Sequence, residues 1–270
     1  MACIVPTPCM ADEMGTLTLE SLGGQTLQSL AKQLQYYKPP SLNEEVENSD
    51  QDIASNLGIA DSVAVNNDPF SCVSRKVKRA AVLICLFEGH EGELRVILTK
   101  RSMKLSSYPG QVALPGGKME EGDADDSATA LRETMEEIGL DPGLVKVVAN
   151  LQPFLSEHLL RVVPVVGLLS RREDFKPALN TDEVDDIFDV PLEMFLEEDN
   201  HRYGEREWMG WKYILHLFDY ESEQGGFLIW GLTAGILIRA ASVVYQRIPS
   251  FTHHLPDFQQ LQRALHGPIP

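Results

Sequence analysis

A chain of 270 residues exceeds what one small hydrophobic core requires and falls short of two large ones, so one main domain with appendages is expected. Its 23 basic and 40 acidic side chains leave a net charge of −17, which opposes nonspecific attraction to nucleic acid or to an anionic membrane and favours a small-molecule partner. The four cysteines, Cys3, Cys9, Cys72 and Cys85, fall in no disulfide-like or metal-like spacing, which points to a reducing compartment.

In chain order, the first fifteen residues contain Asp12 and Glu13 but no Lys or Arg, unlike a mitochondrial transit peptide; a cytoplasmic location is expected, with a mitochondrial one as the alternative. Leu27, Leu30 and Leu34 then recur at helical spacing between Thr26 and Tyr37, which predicts a short amphipathic helix for packing or for contact in a homodimer. From Lys38 to Asn67 the chain is polar and acidic and reads as a linker. The expected organisation is therefore an N-terminal helix and linker over 1–70, a main domain over 71–248 and a tail over 249–270.

The run Ala80 to Phe87 is apolar throughout, has strand length and stops at Gly89, as a central strand buried on both faces should. Further strands are expected at Leu94–Thr99, Val145–Asn150, Val162–Leu169 and Trp211–Phe218. Helices are expected at about 124–138 and from Leu232 to Gln246, so the class is α/β. The longest apolar stretch, Phe227 to Ile238, ends at Arg239, short of the roughly 20 residues that cross a bilayer. Trp230 inside it reads as core packing, and His253-His254 as a surface pair.

On the helix over 124–138, Ala128, Leu131, Met135 and Ile138 gather on one side, and Glu133, Glu136 and Glu137 gather roughly opposite. Like charges at these spacings repel by a few tenths of a kcal/mol, roughly 0.2–0.5 per pair. A hard cation such as Mg2+ against the cluster would relieve that repulsion, whereas without one the cluster is a solvated acidic face. Asp123 or Asp125 can cap the helix, and Gly139 stands where a left-handed residue ends it.

Gly116-Gly117 followed by Arg132-Glu133-Thr134-Met135-Glu136-Glu137-Ile138-Gly139-Leu140 resembles the Nudix box. Asp123 stands where the usual pattern has Glu, Arg132 comes one residue later than usual, and Thr134 takes an apolar position. The resemblance implies a Nudix α/β/α sandwich with a mixed sheet and hydrolysis of a diphosphate linkage with Mg2+ or Mn2+. It further implies Glu136 and Glu137 as main metal ligands, Glu133 as a further ligand or water-orienting group, and Arg132 as an ion-pair partner holding the loop. Glu183 resembles a late acidic residue that some members use as ligand or base; the other reading is a surface acid.

The stretch Ile97 to Ser102, continued through Gly110 to Gly117, resembles the extra signature of coenzyme A diphosphatases, with Ser106 in place of an Arg and Leu114 in place of a Phe. The implied substrates are CoA and acyl-CoA, cleaved to 3′,5′-ADP and 4′-phosphopantetheine or its acyl form. Lys100, Arg101 and Lys104, with Gly116 and Gly117, are the implied substrate-binding residues; Lys100 and Lys104 read equally well as solvated strand ends. ADP-ribose or a dinucleotide such as NADH is the alternative substrate, and a non-hydrolytic CoA or nucleotide sensor is the alternative of another class.

Overall fold

A computed structural model describes residues 25–38, 78–156, 160–208, 211–223 and 225–251. The acidic linker and the His253-His254 pair lie outside these residues. The first helix, α1, is Gln25–Leu34, close to its expected place. Strand β1 (Arg79–Glu88) is the apolar run, and β2 (Leu94–Arg101) turns back against it. Two short strands, β3 (Val112–Ala113) and β4 (Gly116–Lys118), precede helix α2 (Asp126–Ile138). Next come β5 (Val145–Asn150), β6 (Phe154–Leu155), β7 (Arg161–Leu169) and β8 (Val184–Pro191). An antiparallel unit of β9 (His201–Trp208), β10 (Trp211–Ser222) and β11 (Gly225–Trp230) leads into α3 (Gly231–Tyr245).

The main sheet has the order β3-β2-β1-β7-β5, with β4 also on β1, β6 on β7 and β8 on β2. It is mixed: β1 runs parallel to β7 and antiparallel to β2 and β4. Alternation along β1 divides the core into two layers. Ala81, Leu83, Cys85 and Phe87 pack with Ala130 and Ile138 of α2. Ala80, Ile84 and Leu86 pack on the other face with the leucines of α1 and with Ile236, Leu237 and Ala240 of α3. The result is a three-layer α/β/α arrangement, as expected. Cys85 is fully buried between the layers, and desolvation pushes its thiol up to about 12.

The apolar stretch from Phe227 to Ile238 divides into two elements, with α3 starting one residue before its expected place at Leu232: the chain leaves β11 at Trp230 and enters α3 through Gly231 at φ 61. Among the described residues no helix is long and apolar enough to cross a membrane. Other expectations need correction. Trp230 itself is only half-buried, at the N-cap of α3. Strands β8 and β9 were not expected, and β10 runs four residues beyond Phe218.

Helix α1 shares the core of the main sheet. Leu27, Leu30, Ala31 and Leu34 are buried there, and Gln33 donates to the carbonyls of Val243 and Val244 at 3.0 and 3.1 Å. Truncating Leu27 to Ala is therefore expected to cost about 2–5 kcal/mol in a single unfolding transition measured in urea. A cost below about 0.5 kcal/mol, the level of a surface change, would mean that α1 stands outside the cooperative unit.

Candidate active site

The site is built where α2 crosses β4. Asp125 caps the helix, its Oδ1 accepting from the Ala128 N–H at 2.8 Å, and Gly139 closes it at φ 73 with its N–H on the Met135 carbonyl. Of the two candidate caps, Asp125 therefore fills the role. Asp123 does something else: both its oxygens take the Arg132 guanidinium at 2.9 and 3.0 Å, while the Glu120 N–H and the Thr129 hydroxyl donate to it at 2.9 Å. These donors hold its carboxyl well below the usual carboxylate range, Arg132 first among them. The shorter Asp side chain and the later Arg thus still meet as a bidentate pair.

The facial assignment of α2 from periodicity is partly wrong. Ile138 is buried and Leu131 packs against the core, but Met135 is 47% exposed. Glu137, assigned to the acidic face, is only 5% exposed, and Thr134 is fully buried with its hydroxyl on the Ala130 carbonyl. The physical reason lies in β4. Its two glycines carry no side chains, so α2 turns a carboxylate flank, rather than an apolar one, toward this edge of the sheet.

Each glycine admits one carboxylate. Gly116, at φ 146, lies so close to β1 that a Cβ would stand 2.3 Å from the Ala81 carbonyl oxygen, and its N–H donates to Glu137 Oε2 at 3.1 Å. A Cβ on Gly117 would fall 2.3–2.5 Å from the Glu133 carboxylate. Desolvation pushes Glu137 up to about 7; the Gly116 N–H and the charge of Arg101 oppose this, and the charges of Glu133 and Glu183 add to it. Glu133 is raised as well, by burial first, against the pull of Arg132. Glu136 is exposed and accepts from Arg132 Nη1 at 3.0 Å.

Glu183 comes to the cluster through the end of α2. Orphan carbonyls of a helix C-terminus need donors. Here the Ala178 and Asn180 N–H groups supply them, at 2.9 Å, to Ile138 and Glu137. The turn from Asn180 that follows carries Glu183, whose charge acts on both Glu133 and Glu137. Asn180, in a polar loop, and Thr129, inside α2, had no signal in the sequence, whereas the pairing of Asp123 was foreshadowed only by the ion-pair role that the resemblance implies for Arg132.

The three candidate cations part company. Arg101 shares the Ile97 face of β2, toward α2, and its buried Nε has no hydrogen-bond partner. Lys100, the adjacent strand residue, points to the opposite face, and Lys104 Nζ pairs with Asp182 at 2.9 Å on the surface.

Among the described residues no three His, Cys, Asp or Glu side chains stand as a ready metal-ligating group; Arg132 engages Glu133 and Glu136, and the Gly116 N–H engages Glu137. The donor set nevertheless fits a hard divalent cation: all oxygen, from carboxylates whose mutual repulsion and burial such a cation would offset.

The NUDIX domain family matches residues 77–212. A protein of Arabidopsis thaliana, "Nudix hydrolase 15, mitochondrial", is 58% identical over 208 residues, covering 77% of this chain and 72% of its own. "Nudix hydrolase 22, chloroplastic", from the same plant, is 51% identical over 247 residues, 88% of this chain and 80% of its own. "Peroxisomal coenzyme A diphosphatase NUDT7" of Mus musculus is 39% identical over 162 residues, 59% of this chain and 68% of its own. The chain belongs to the Nudix hydrolase family. It is an enzyme acting on small-molecule substrates, in a family whose members generally require a divalent metal ion.

The two glycines should respond differently to a methyl group. Gly116→Ala meets backbone and a φ that L residues avoid, so a loss of about 2 kcal/mol or more is expected in denaturation. Gly117→Ala meets only the far end of Glu133; its thermal midpoint should stay near that of the wild type while the hydrolytic rate falls on the order of 100-fold. Equal thermal losses in both variants would contradict this division.

Proposed function

We propose that this enzyme hydrolyses the diphosphate linkage of CoA and acyl-CoA esters to 3′,5′-ADP and 4′-phosphopantetheine or its acyl form, with Mg2+ or Mn2+. The observation that carries the reading is Arg101, which belongs to the CoA-type signature and turns a buried, unpartnered Nε–H toward the carboxylate site. A guanidinium there holds a phosphate by charge and by directed hydrogen bonds. The mouse relative named as a coenzyme A diphosphatase supports the same substrate class.

In this reading Glu133, Glu136 and Glu137 would hold the cation, with Glu136 turning to it from its pair with Arg132. Such a divalent ion would supply charge neutralisation and positioning for the diphosphate and a lowered pKa for the attacking water. Glu183, or Glu133, accepts the proton as the water oxygen bonds to one phosphorus. The bond from that phosphorus to the bridging oxygen breaks, and the second phosphate leaves with the bridging oxygen. Arg101 balances charge on the departing group, and Arg132 keeps the loop before α2 closed on Asp123. Gly116 and Gly117 act through their backbone, by letting the carboxylates approach. Lys100 and Lys104 are, on their positions, outer contacts at most.

Ser106, in place of an expected arginine, keeps ADP-ribose and NADH as the second reading. The intact Glu133, Glu136 and Glu137 weigh against a pure sensor. For location, the plant relatives named as mitochondrial and chloroplastic support the mitochondrial alternative over a cytoplasmic one.

The test is incubation with Mg2+ and, separately, CoA, succinyl-CoA, ADP-ribose and NADH, with chromatographic separation of products. Release of 3′,5′-ADP from the CoA compounds is expected, together with loss of turnover by at least about 100-fold in Glu136→Gln and Glu137→Gln that remain folded. AMP formed mainly from ADP-ribose or NADH would replace the CoA reading with the second one.

A further inference from the structure

Thr129 lies inside α2, where its helix propensity gives it no advantage, and it is fully buried. Its hydroxyl has two acceptors in reach, Asp123 Oδ2 at 2.9 Å and the Asp125 carbonyl at 3.2 Å. An ionised carboxylate only accepts, so the shorter contact makes the hydroxyl a donor. The charged acceptor also wins over a carbonyl that already takes the Thr129 N–H at 3.1 Å. Asp123 depends on such help. It is one methylene shorter than the glutamate of the usual pattern, and its arginine comes one residue later. Its side chain is nevertheless only 7% exposed, with Arg132 Nε on Oδ1 and the Glu120 N–H, the Thr129 hydroxyl and Arg132 Nη2 on Oδ2. Thr129 and Arg132 stand one turn apart on the same face of α2. The hydroxyl therefore fixes the carboxylate relative to the helix that carries the glutamates.

We infer that Thr129 is a positioning residue for the divalent cation: by fixing Asp123 it holds Arg132 back, so that the guanidinium does not compete with the cation for Glu133 and Glu136. The inference rests on the reading of Glu133, Glu136 and Glu137 as the ligands. Arg132 is the one cation that already touches two of them, Glu133 Oε1 at 3.2 Å and Glu136 Oε2 at 3.0 Å. When Glu136 turns away to a metal ion, the pull left on the guanidinium is divided between Asp123, Glu133 and the Lys118 carbonyl. An Asp123 oriented by Thr129 keeps the larger share through its bidentate pair. A loosened Asp123 yields that share to Glu133, and the ion then meets a ligand already engaged. Partners outside the ligand shell govern metal affinity in this way.

The test is Mn2+ binding to the full chain without substrate, read from the electron paramagnetic resonance signal of the free ion, beside metal-free thermal midpoints. Thr129→Val keeps the shape of the side chain and removes the donor; it should weaken Mn2+ binding by about tenfold, and Thr129→Ser should return it to within about twofold of the wild type. Thr129→Ala, suited to a helix interior, gives the same comparison if the valine variant does not fold. The serine variant lacks the methyl group and keeps the hydroxyl, so its recovery assigns the effect to the hydrogen bond and not to packing. Wild-type affinity in the variants without a hydroxyl, or a serine variant as weak as they are, would overturn the positioning role. If Glu136→Gln loses Mn2+ in that case, the ligand reading stands without it; wild-type affinity in both Glu136→Gln and Glu137→Gln would remove the ligand reading and this inference together.

Discussion

Glu133, Glu136 and Glu137 repel one another along one flank of α2, and the surroundings of that helix are arranged to hold them in place. Arg132 bonds to Glu133, Glu136 and the Lys118 carbonyl while its main partner, Asp123, anchors it from the loop before the helix. Gly116 offers its N–H to the most buried carboxylate. Uncompensated like charges near the sheet would otherwise favour a rotated helix, with Met135 inward and Glu137 in water. The small cross-section of β4 and the Asp123–Arg132 pair together prevent that rotation.

The same arrangement ties the reacting region to both halves of the core. Gly116 pairs with Val82, and Val82 lies next to Ala81 and Leu83, which face α2. On the opposite face α1 and α3 cover β1, so the strand supporting the site is enclosed by helices on both sides. A site on such a support can hold its carboxylates in positions that exposed loops could not maintain. The loop bearing Glu183 gains similar rigidity by satisfying the last carbonyls of α2.

Much of this was legible in the sequence where one cause dominates. Ala80 to Phe87 reads as a two-sided central strand because nothing polar interrupts it, and α2 announces its limits through Asp125 and Gly139. Met135 and Glu137 were misassigned because periodicity records hydrophobicity and does not record that the neighbouring strand is made of glycines. Strand β8 escaped notice because its register slips opposite Lys100–Arg101, which breaks the simple alternation of Val184-Asp185-Asp186-Ile187. Strand β9 is mostly charged or polar on its accessible positions, and only its partner β10 gives it a reason to be extended. The division among Lys100, Arg101 and Lys104 depends on which face of β2 each occupies, something a run of adjacent basic residues does not reveal.

Cys85 sits at the middle of β1 with its thiol between the two helical layers, unionised at neutral pH and out of reach of any dissolved reagent. A thiolate can form there only when β1 parts from its neighbours, and β1 is the strand that joins β2, β4 and β7. Alkylation of this one sulfur is therefore a clock for opening of the entire sheet, insensitive to fraying at the edges. Any ligand that binds the closed enzyme would slow that clock in proportion to the fraction bound, so the protein carries its own internal gauge of occupancy.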